Sequence, residues 1–226
     1  MGTLSVVATP IGNLEDITLR ALRTLKECDV VFCEDTRVAG KLLAHYEIKK
    51  PLLRLDGHTE VSRSRDLISL LADGKKAVLI SDAGTPGISD PGSRIVALVR
   101  ESLGGDVKIE TIPGPSALAA LIAIAGIPLD TFTFYGFLPH KKGRQTLIKT
   151  MIASEHASMV YESPHRMMKL LDALHENAPE RIIVVGRELT KLFEEVRVGT
   201  VAEVRTYFQK KAPRGEFVVI LSGAVE

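Results

Sequence analysis

The sequence predicts an α/β protein of two lobes, with a mostly parallel sheet in the first lobe and a mixed sheet in the second. Short apolar runs alternate with helical patterns as far as residue 125, which is typical of a parallel sheet with helices on both faces. After residue 127 the pattern changes, since residues 131–135 alternate as a half-exposed strand does. We place the boundary so that the lobes span residues 1–114 and 115–226.

The individual elements follow from apolar spacing and turn residues. Residues 4–8 form an apolar run that ends in the turn sequence Thr9-Pro10-Ile11-Gly12-Asn13. Apolar residues recur at helical spacing over residues 16–27, and Asp16 is suited to cap this helix. The other predicted strands are 30–33, 77–80, 107–112, 131–135, 159–161, 182–185 and 217–221, and the other predicted helical segments are 38–46, 67–71 and 117–125.

Composition narrows the class of protein. With 45% hydrophobic and 25% charged residues, the 226-residue chain has the apolar content of a globular protein. The amino terminus lacks the pattern of a secretory signal, and the apolar segment 117–125 is too short to span a bilayer, so we expect a cytoplasmic protein without membrane contact. A net charge of +1 leaves only local basic patches for binding RNA. Cys28 and Cys33 fit buried packing positions.

Several familiar ligand motifs are absent from the sequence. It contains no G-x-G-x-x-G turn, no G-x-x-x-x-G-K-[ST] phosphate loop, and no H-E-x-x-H or paired C-x-x-C metal motif. The six histidines also lack the spacing of metal ligands. We therefore expect neither an ordinary NAD, ATP or zinc enzyme nor a metal site.

Polar residues follow the predicted strands of the first lobe, where ligands of parallel sheets bind. Residues 81–92 combine Asp82 with glycines and prolines, which would allow close backbone approach to a small molecule or simply form a tight turn. Ser116 could contact a cofactor or cap the following helix. Residues 34–37, Glu-Asp-Thr-Arg, could be a polar wall of a binding site or a solvated corner.

The second lobe has three comparable clusters. Glu162, His165 and Arg166 follow an apolar strand, a density of polar groups that favours function. Residues 140–144, His-Lys-Lys-Gly-Arg, follow an aromatic stretch and could bind RNA or an acidic substrate, or could form a solvated loop. Residues 187–191, with Glu194 and Glu195 nearby, could face a binding site or form surface ion pairs on a helix.

Taken together, these blocks resemble the ribosomal small-subunit RNA 2'-O-methyltransferase I family, within the tetrapyrrole methylase superfamily. The resemblance runs nearly end to end. It rests on residues 9–18, 34–37, 81–92, 113–117, 136–139, 161–166 and 187–191. The Ser81-Asp82-Ala83-Gly84-Thr85-Pro86 sequence differs from the Gly-Asp-Pro version usual in the tetrapyrrole enzymes, and this difference favours the RNA branch.

The resemblance implies two α/β lobes, a homodimer, and S-adenosylmethionine bound in an interlobe cleft. It implies methylation of the ribose 2'-oxygen of a cytidine in the decoding region, with small-subunit ribosomal RNA as the partner. The residues that it implies as cofactor contacts are Pro10, Asp82, Thr85, Pro86, Ser116, Ala117, Tyr161, Gly215 and Glu216.

Transfer of a methyl group to a ribose hydroxyl requires help in removing the proton or stabilising the alkoxide. We predict Glu162 or His165 as the base and Lys191 as the electrostatic helper. The residues predicted to contact RNA phosphates are Arg37, Lys141, Arg144 and Arg166. Two alternatives remain open: a tetrapyrrole (precorrin) C-methyltransferase, and a noncatalytic ribosome-assembly factor that binds RNA.

Overall fold

The computed structural model of the chain describes residues 1–55, 60–90 and 92–224. It divides into two compact units, Met1–Ser116 and Ala117–Glu226. This division falls two residues beyond the expected boundary between residues 114 and 115, because Ser116 still belongs to the segment that leaves the last strand of the first unit.

The first unit is built on a parallel sheet, as the alternating pattern predicts. Its strands are β1 Gly2–Val7, β2 Val30–Cys33, β3 Leu52–Arg54, β4 Lys76–Leu79 and β5 Val107–Ile112. Their order across the sheet is β3-β2-β4-β1-β5, and neighbouring strands pair in parallel. In the centre, Leu4 of β1 pairs with Ala77 on one side and Ile109 on the other.

Helices cover both faces of this sheet. They are α1 Leu19–Glu27, α2 Thr36–His45, α3 Glu60–Ala72 and α4 Gly92–Leu103. Leu25 of α1 and Leu43 of α2 share a core with Val78 on one face. Leu71 of α3 and Val99 of α4 share the core on the other face. The central strands are therefore buried on both sides, which explains their continuous apolar runs.

Helix α1 begins later than predicted, and its N-terminal cap is a different residue from the predicted Asp16. Residues Leu14–Asp16 form a 3-10 turn, and α1 begins only at Leu19. The Thr18 side chain accepts a hydrogen bond from the backbone of Ala21, so Thr18 rather than Asp16 is the cap. Similarly, Asp35 caps α2, which begins two residues before the predicted start at residue 38.

The second unit is built on a mixed sheet. Its strands are β6 Phe132–Phe137, β7 Ala157–Glu162, β8 Ile182–Arg187, β9 Glu195–Thr200 and β10 Phe217–Leu221, in the order β6-β7-β10-β8-β9. β6 and β7 are parallel, and the other neighbours are antiparallel. The helices are α5 Ala117–Ile124, α6 Arg144–Ala153, α7 Pro164–Asn177 and α8 Val201–Lys210. Residues 188–194, for which a helix surface was one of the two alternatives above, instead connect β8 to β9.

The strand register brings the polar clusters of the second unit to one edge of its sheet. Glu162 pairs with Phe217 of β10, and Phe217 pairs in turn with Arg187 of β8. Arg187 also pairs with Glu195 at the start of β9. Residues that follow β7 and β8, and those that precede β10, therefore share this edge.

Within the described residues, no helix has both the length and the apolar character needed to cross a membrane.

Candidate active site

The carboxyl edge of the first sheet has the geometry of a ligand crevice. The helix that follows β4 lies on one face of the sheet, whereas the helices that follow β1 and β2 lie on the other. Adjacent strands whose connections leave to opposite faces open a crevice beyond their carboxyl ends. In this unit the crevice lies between the residues after Val7 and those after Leu79.

Backbone hydrogen bonds join the loops on either side of this crevice. Thr9 and Gly84 form a two-way bridge, with N–O distances of 2.9 and 3.1 Å. The Thr9 hydroxyl also donates to the Ser81 carbonyl at 3.3 Å. Gly84 has a φ of +79°, and a Cβ there would lie 3.1 Å from the Ile11 side chain. The glycine is therefore needed both for its backbone conformation and for the close approach of the two loops.

The third loop of this edge leads from β5 to α5. The Thr85 hydroxyl donates a hydrogen bond to the Pro115 carbonyl at 2.9 Å, which ties the two loops together. Ser116 Oγ is buried and has no hydrogen-bond partner among the described residues, so it does not cap α5 through its hydroxyl. A buried polar atom of this kind can be satisfied by a bound polar ligand.

Three acidic side chains surround the carboxyl end of β2. Burial, together with the charges of Asp82, Asp35 and Glu34, raises the pKa of the Cys33 thiol to about 12. Asp82 accepts a hydrogen bond from the Asp35 backbone at 3.1 Å, and hydrogen bonds from Arg37 hold the pKa of Asp35 below its usual range. Three carboxylates against two arginines, Arg37 and Arg54, leave this edge with a small excess of negative charge, which favours a ligand that carries positive charge.

The predicted cofactor residues of the first unit therefore meet at one edge. Pro10 is buried beside Thr9, and Thr85 and Pro86 continue the Gly84 loop. Asp90 holds the far end of that loop by accepting hydrogen bonds from Gly87 and Gly92, whereas Pro91 lies outside the described residues. The charges, the Ser116 hydroxyl and the close-approach glycine fit a small, polar ligand at this edge. No group of metal-ligand side chains occurs in the part of the chain that the structure describes.

In the second unit, Glu162 binds two arginines. Its carboxylate lies 2.8 Å from Nη2 of Arg144 and 2.8 Å from Nε of Arg166, and it also accepts the backbone N–H of Ser163 at 2.9 Å. The Glu162 side chain is 0% exposed. Because both oxygens are engaged and buried, this geometry argues against the predicted role of Glu162 as general base.

The same network corrects two predicted RNA contacts. The Arg144 side chain is 10% exposed and the Arg166 side chain 14% exposed, and both guanidiniums face Glu162. Arg166 also donates to the Leu138 carbonyl at 2.8 Å. These arginines hold β6, α6 and α7 together, so they are unsuited to contact an RNA phosphate. By contrast, Lys141, His165 and Arg37 are exposed.

Lys191 lies in a strained turn after β8. Its ammonium is 3.0 Å from Glu188 and 2.8 Å from Glu216. Burial opposes the charge, but these two carboxylates outweigh it and raise the pKa of Lys191, so the side chain stays protonated. Glu188 and Thr190 have φ values of +50° and +65°, a left-handed conformation that is uncommon for non-glycine residues and is unfavourable for a β-branched residue such as Thr190.

The role of Glu188 is visible only in the structure, although the sequence places this residue in a candidate site block. One of its oxygens accepts from both Lys191 and the Glu216 backbone, which fixes the turn against the start of β10. A Cβ at Gly215 would lie 2.4 Å from Glu188, so the predicted cofactor residue Gly215 has a clear packing requirement. The unusual φ of Glu188 has no signature in the sequence, although residues 187–191 were singled out as a block.

Comparison with known proteins identifies the class first. The profile of the Tetrapyrrole (Corrin/Porphyrin) Methylases family matches residues 3–205. Two solved structures share the fold: a uroporphyrin-III-C-methyltransferase from Thermus thermophilus (TM-score 0.65, 22% identity, covering 98% of this chain and 94% of that one) and diphthine synthase (TM-score 0.76, 16% identity, covering 99% and 90%). The fold and profile define a methylase of this class.

Relatives of higher identity specify the family. Ribosomal RNA small subunit methyltransferase I of Thermotoga maritima is 44% identical over 223 residues, covering 99% of both chains. The protein of the same name from Coprothermobacter proteolyticus is 45% identical over 217 residues, covering 96% of this chain and 95% of its own. The chain belongs to the ribosomal RNA small subunit methyltransferase I family, within the tetrapyrrole methylases.

Proposed function

We propose that this protein transfers a methyl group from S-adenosylmethionine to the ribose 2'-oxygen of a cytidine in the decoding region of small-subunit ribosomal RNA. The observation that carries the proposal is the similarity, over nearly the whole chain, to relatives named for methylation of that RNA. The acidic crevice edge of the first unit supports it, because the methyl donor is a cation.

The residues proposed to bind the donor are those brought to the strand ends. Asp82 and the Ser116 hydroxyl would accept or donate hydrogen bonds, while Pro10, Pro86 and Ala117 would provide apolar contact. Thr85 keeps the Pro115 loop in place. Tyr161, Gly215 and Glu216 are proposed as further contacts from the second unit. The sulfonium of the donor supplies the activated methyl group, so the protein mainly has to orient the incoming oxygen and exclude water.

We assign proton removal to His165. Its imidazole is exposed on the first turn of α7, and a neutral imidazole could accept the proton of the ribose hydroxyl while the oxygen–methyl bond forms and the methyl–sulfur bond breaks, with the sulfur leaving as a neutral thioether. The protonated Lys191 would stabilise negative charge on that oxygen once its ammonium turns from Glu188 or Glu216 towards the substrate. Glu162 acts through Arg144 and Arg166 and keeps the start of α7 in position.

We infer that exposed cations hold the RNA. Arg37 has a side chain that is 86% exposed, and Lys141 lies in the exposed loop between β6 and α6. Neutral variants at these positions should weaken RNA binding and its dependence on salt together. A cytoplasmic homodimer is also part of the proposal, and sedimentation of the purified protein tests the dimer.

Methyl transfer from labelled donor separates this proposal from its alternatives. The protein should label small ribosomal subunits that lack the modification and should leave precorrin unlabelled. His165→Ala should lower kcat while keeping donor affinity. His156→Ala is the matched control. His156 is also exposed, but it lies immediately before β7, whereas His165 lies after that strand. Labelling of precorrin alone would favour the tetrapyrrole enzyme, and calorimetry without any donor binding would favour the assembly factor.

A further inference from the structure

A β-bulge places Phe137 on the same face of the sheet as Phe134. Phe134 pairs with Met159 of β7, and Phe137 pairs with Tyr161, so β6 advances by one more residue than β7 between these pairs. Gly136 takes up the extra residue with a φ of +62°. Without the bulge, strict alternation would direct Phe134 and Phe137 to opposite faces.

The bulge creates an aromatic cluster of Phe134, Tyr161 and Phe137. The ring centroids of Phe134 and Tyr161 are 4.9 Å apart, and those of Phe137 and Tyr161 are 5.5 Å apart, in tilted contacts. Val160, the neighbour of Tyr161, packs into the core with α6–α8, so the cluster lies on the other face. The contacts leave Phe137 54% exposed.

The segment after Phe137 combines a rigid anchor with positive charge. Leu138 is 1% exposed, and its carbonyl accepts a hydrogen bond from the buried network through Arg166 at 2.8 Å. His140, Lys141 and Lys142 follow in an exposed loop. Three residues span at most about 11 Å, so the basic loop begins close to the exposed ring.

We propose that the Phe137 ring stacks on an unpaired nucleobase of the substrate RNA, with Lys141 and Lys142 contacting the adjoining phosphates. The inference rests on the proposed function and names one of its RNA contacts. An exposed aromatic ring beside cations is the arrangement by which proteins hold single-stranded RNA, since every base offers a π-face and every nucleotide a phosphate. The buried network beneath Leu138 holds the ring in place before RNA binds.

Steady-state methyl transfer to unmodified small ribosomal subunits tests this stacking contact. Phe137→Ala should raise KM for the subunits by about 5- to 140-fold, since stacking contributes about 1–3 kcal/mol per base. Phe137→Trp should keep KM near the parent value, because tryptophan also offers a π-face. Phe137→Leu should raise KM as Phe137→Ala does, because leucine is apolar but has no π-face. The matched control is Val198→Ala, which should keep the parent KM, because Val198 is an apolar residue 56% exposed on β9, away from the turns at the sheet edge.

A binding measurement separates failure of this inference from failure of the proposed function. A fragment of decoding-region RNA carrying 2-aminopurine should lose fluorescence on binding the parent protein and should recover it with Phe137→Ala, whether or not methyl transfer occurs. Unchanged KM and fluorescence in Phe137→Ala would overturn the inference, as would parent behaviour in Phe137→Leu. It would also be overturned if Phe137→Ala dissociated a dimer while RNA affinity remained at the parent value.

Discussion

The carboxylate of Glu162 lies 2.8 Å from the guanidinium of Arg144, and the two side chains are 0% and 10% exposed. The pair joins the end of β7 to the first residue of α6, and Arg166 extends it to the first turn of α7. The position of the proposed catalytic His165 therefore depends on a buried ion network.

Replacing Glu162 by Gln should destabilise the protein strongly. Removal of one partner leaves buried positive charge uncompensated, which costs about 3–5 kcal/mol. Asp172→Asn is the matched control, because its pair with Arg205 is partly exposed and should contribute less than about 1 kcal/mol. Denaturant unfolding measures both free energies, and equal losses in the two variants would contradict a structural role for Glu162.

Replacing Gly84 by Ala should lower both stability and donor affinity. A left-handed conformation costs a non-glycine residue roughly 1–2 kcal/mol, and the new Cβ would also press on Ile11 and separate the two crevice loops. Gly104→Ala is the control, since Gly104 has a φ of +53° with nothing within 4 Å of its Cβ position. Calorimetry should show parent donor affinity for Gly104→Ala and weaker binding for Gly84→Ala. Parent affinity in both variants would argue against the crevice as the donor site.

Glu195 should make the stability of the protein depend on pH in the acid range. Burial opposes its ionisation, but hydrogen bonds from Tyr207, Arg197, Lys211 and Arg187 outweigh burial and lower the pKa to about 2. A lowered pKa stabilises the fold above the unfolded-state pKa of about 4.3, and that contribution is lost as pH falls towards 2. The parent protein should be more stable than Glu195→Gln at pH 7, and this difference in the free energy of unfolding should shrink as the pH falls below about 4. A pH-independent difference would be inconsistent with this pKa.

The two cysteines should resist alkylation in the native protein. Cys28 and Cys33 are 3% and 1% exposed, and burial and neighbouring carboxylates raise the pKa of Cys33 to about 12. The thiolate, which is the reactive form, is therefore scarce at pH 8. Mass spectrometry after iodoacetamide treatment should find neither cysteine modified until denaturant is added. Rapid labelling of Cys33 in the folded protein would show that the β2 end is more open than the structure indicates.

The parallel sheet could be predicted because its strands are buried on both faces and alternate with helices. Residues 30–33 and 107–112 were predicted with the bounds that the structure shows. β3 was missed because it has three residues and a partly exposed pattern, too short for periodicity to be visible. Strand β8 was predicted at residues 182–185, but β9 and its hairpin with β8 were not, because the turn between them places Glu188 and Thr190 at positive φ values that composition does not encode.

The sequence predicts where the residues of the site lie better than it predicts what each of them does. The polar groups after the strands could be identified from the sequence because strand ends in parallel sheets share an edge. The pairing of Glu162 with Arg144, separated by 18 residues, depends on how α6 packs beside β7, and no local pattern specifies it. The role of Glu162 as a holding residue therefore emerged only from the structure.

Mapping of ribose methylation tests the central claim most directly. Small subunits from cells lacking the enzyme would be incubated with the purified protein and S-adenosylmethionine, and their RNA would be partially hydrolysed in alkali. A 2'-O-methyl group blocks cleavage of the adjacent phosphodiester bond, so the account predicts one new gap in the ladder, at a cytidine of the decoding region. An unchanged ladder would contradict it if the same protein preparation binds S-adenosylmethionine. A methyl group found on a base rather than on a ribose would also contradict it.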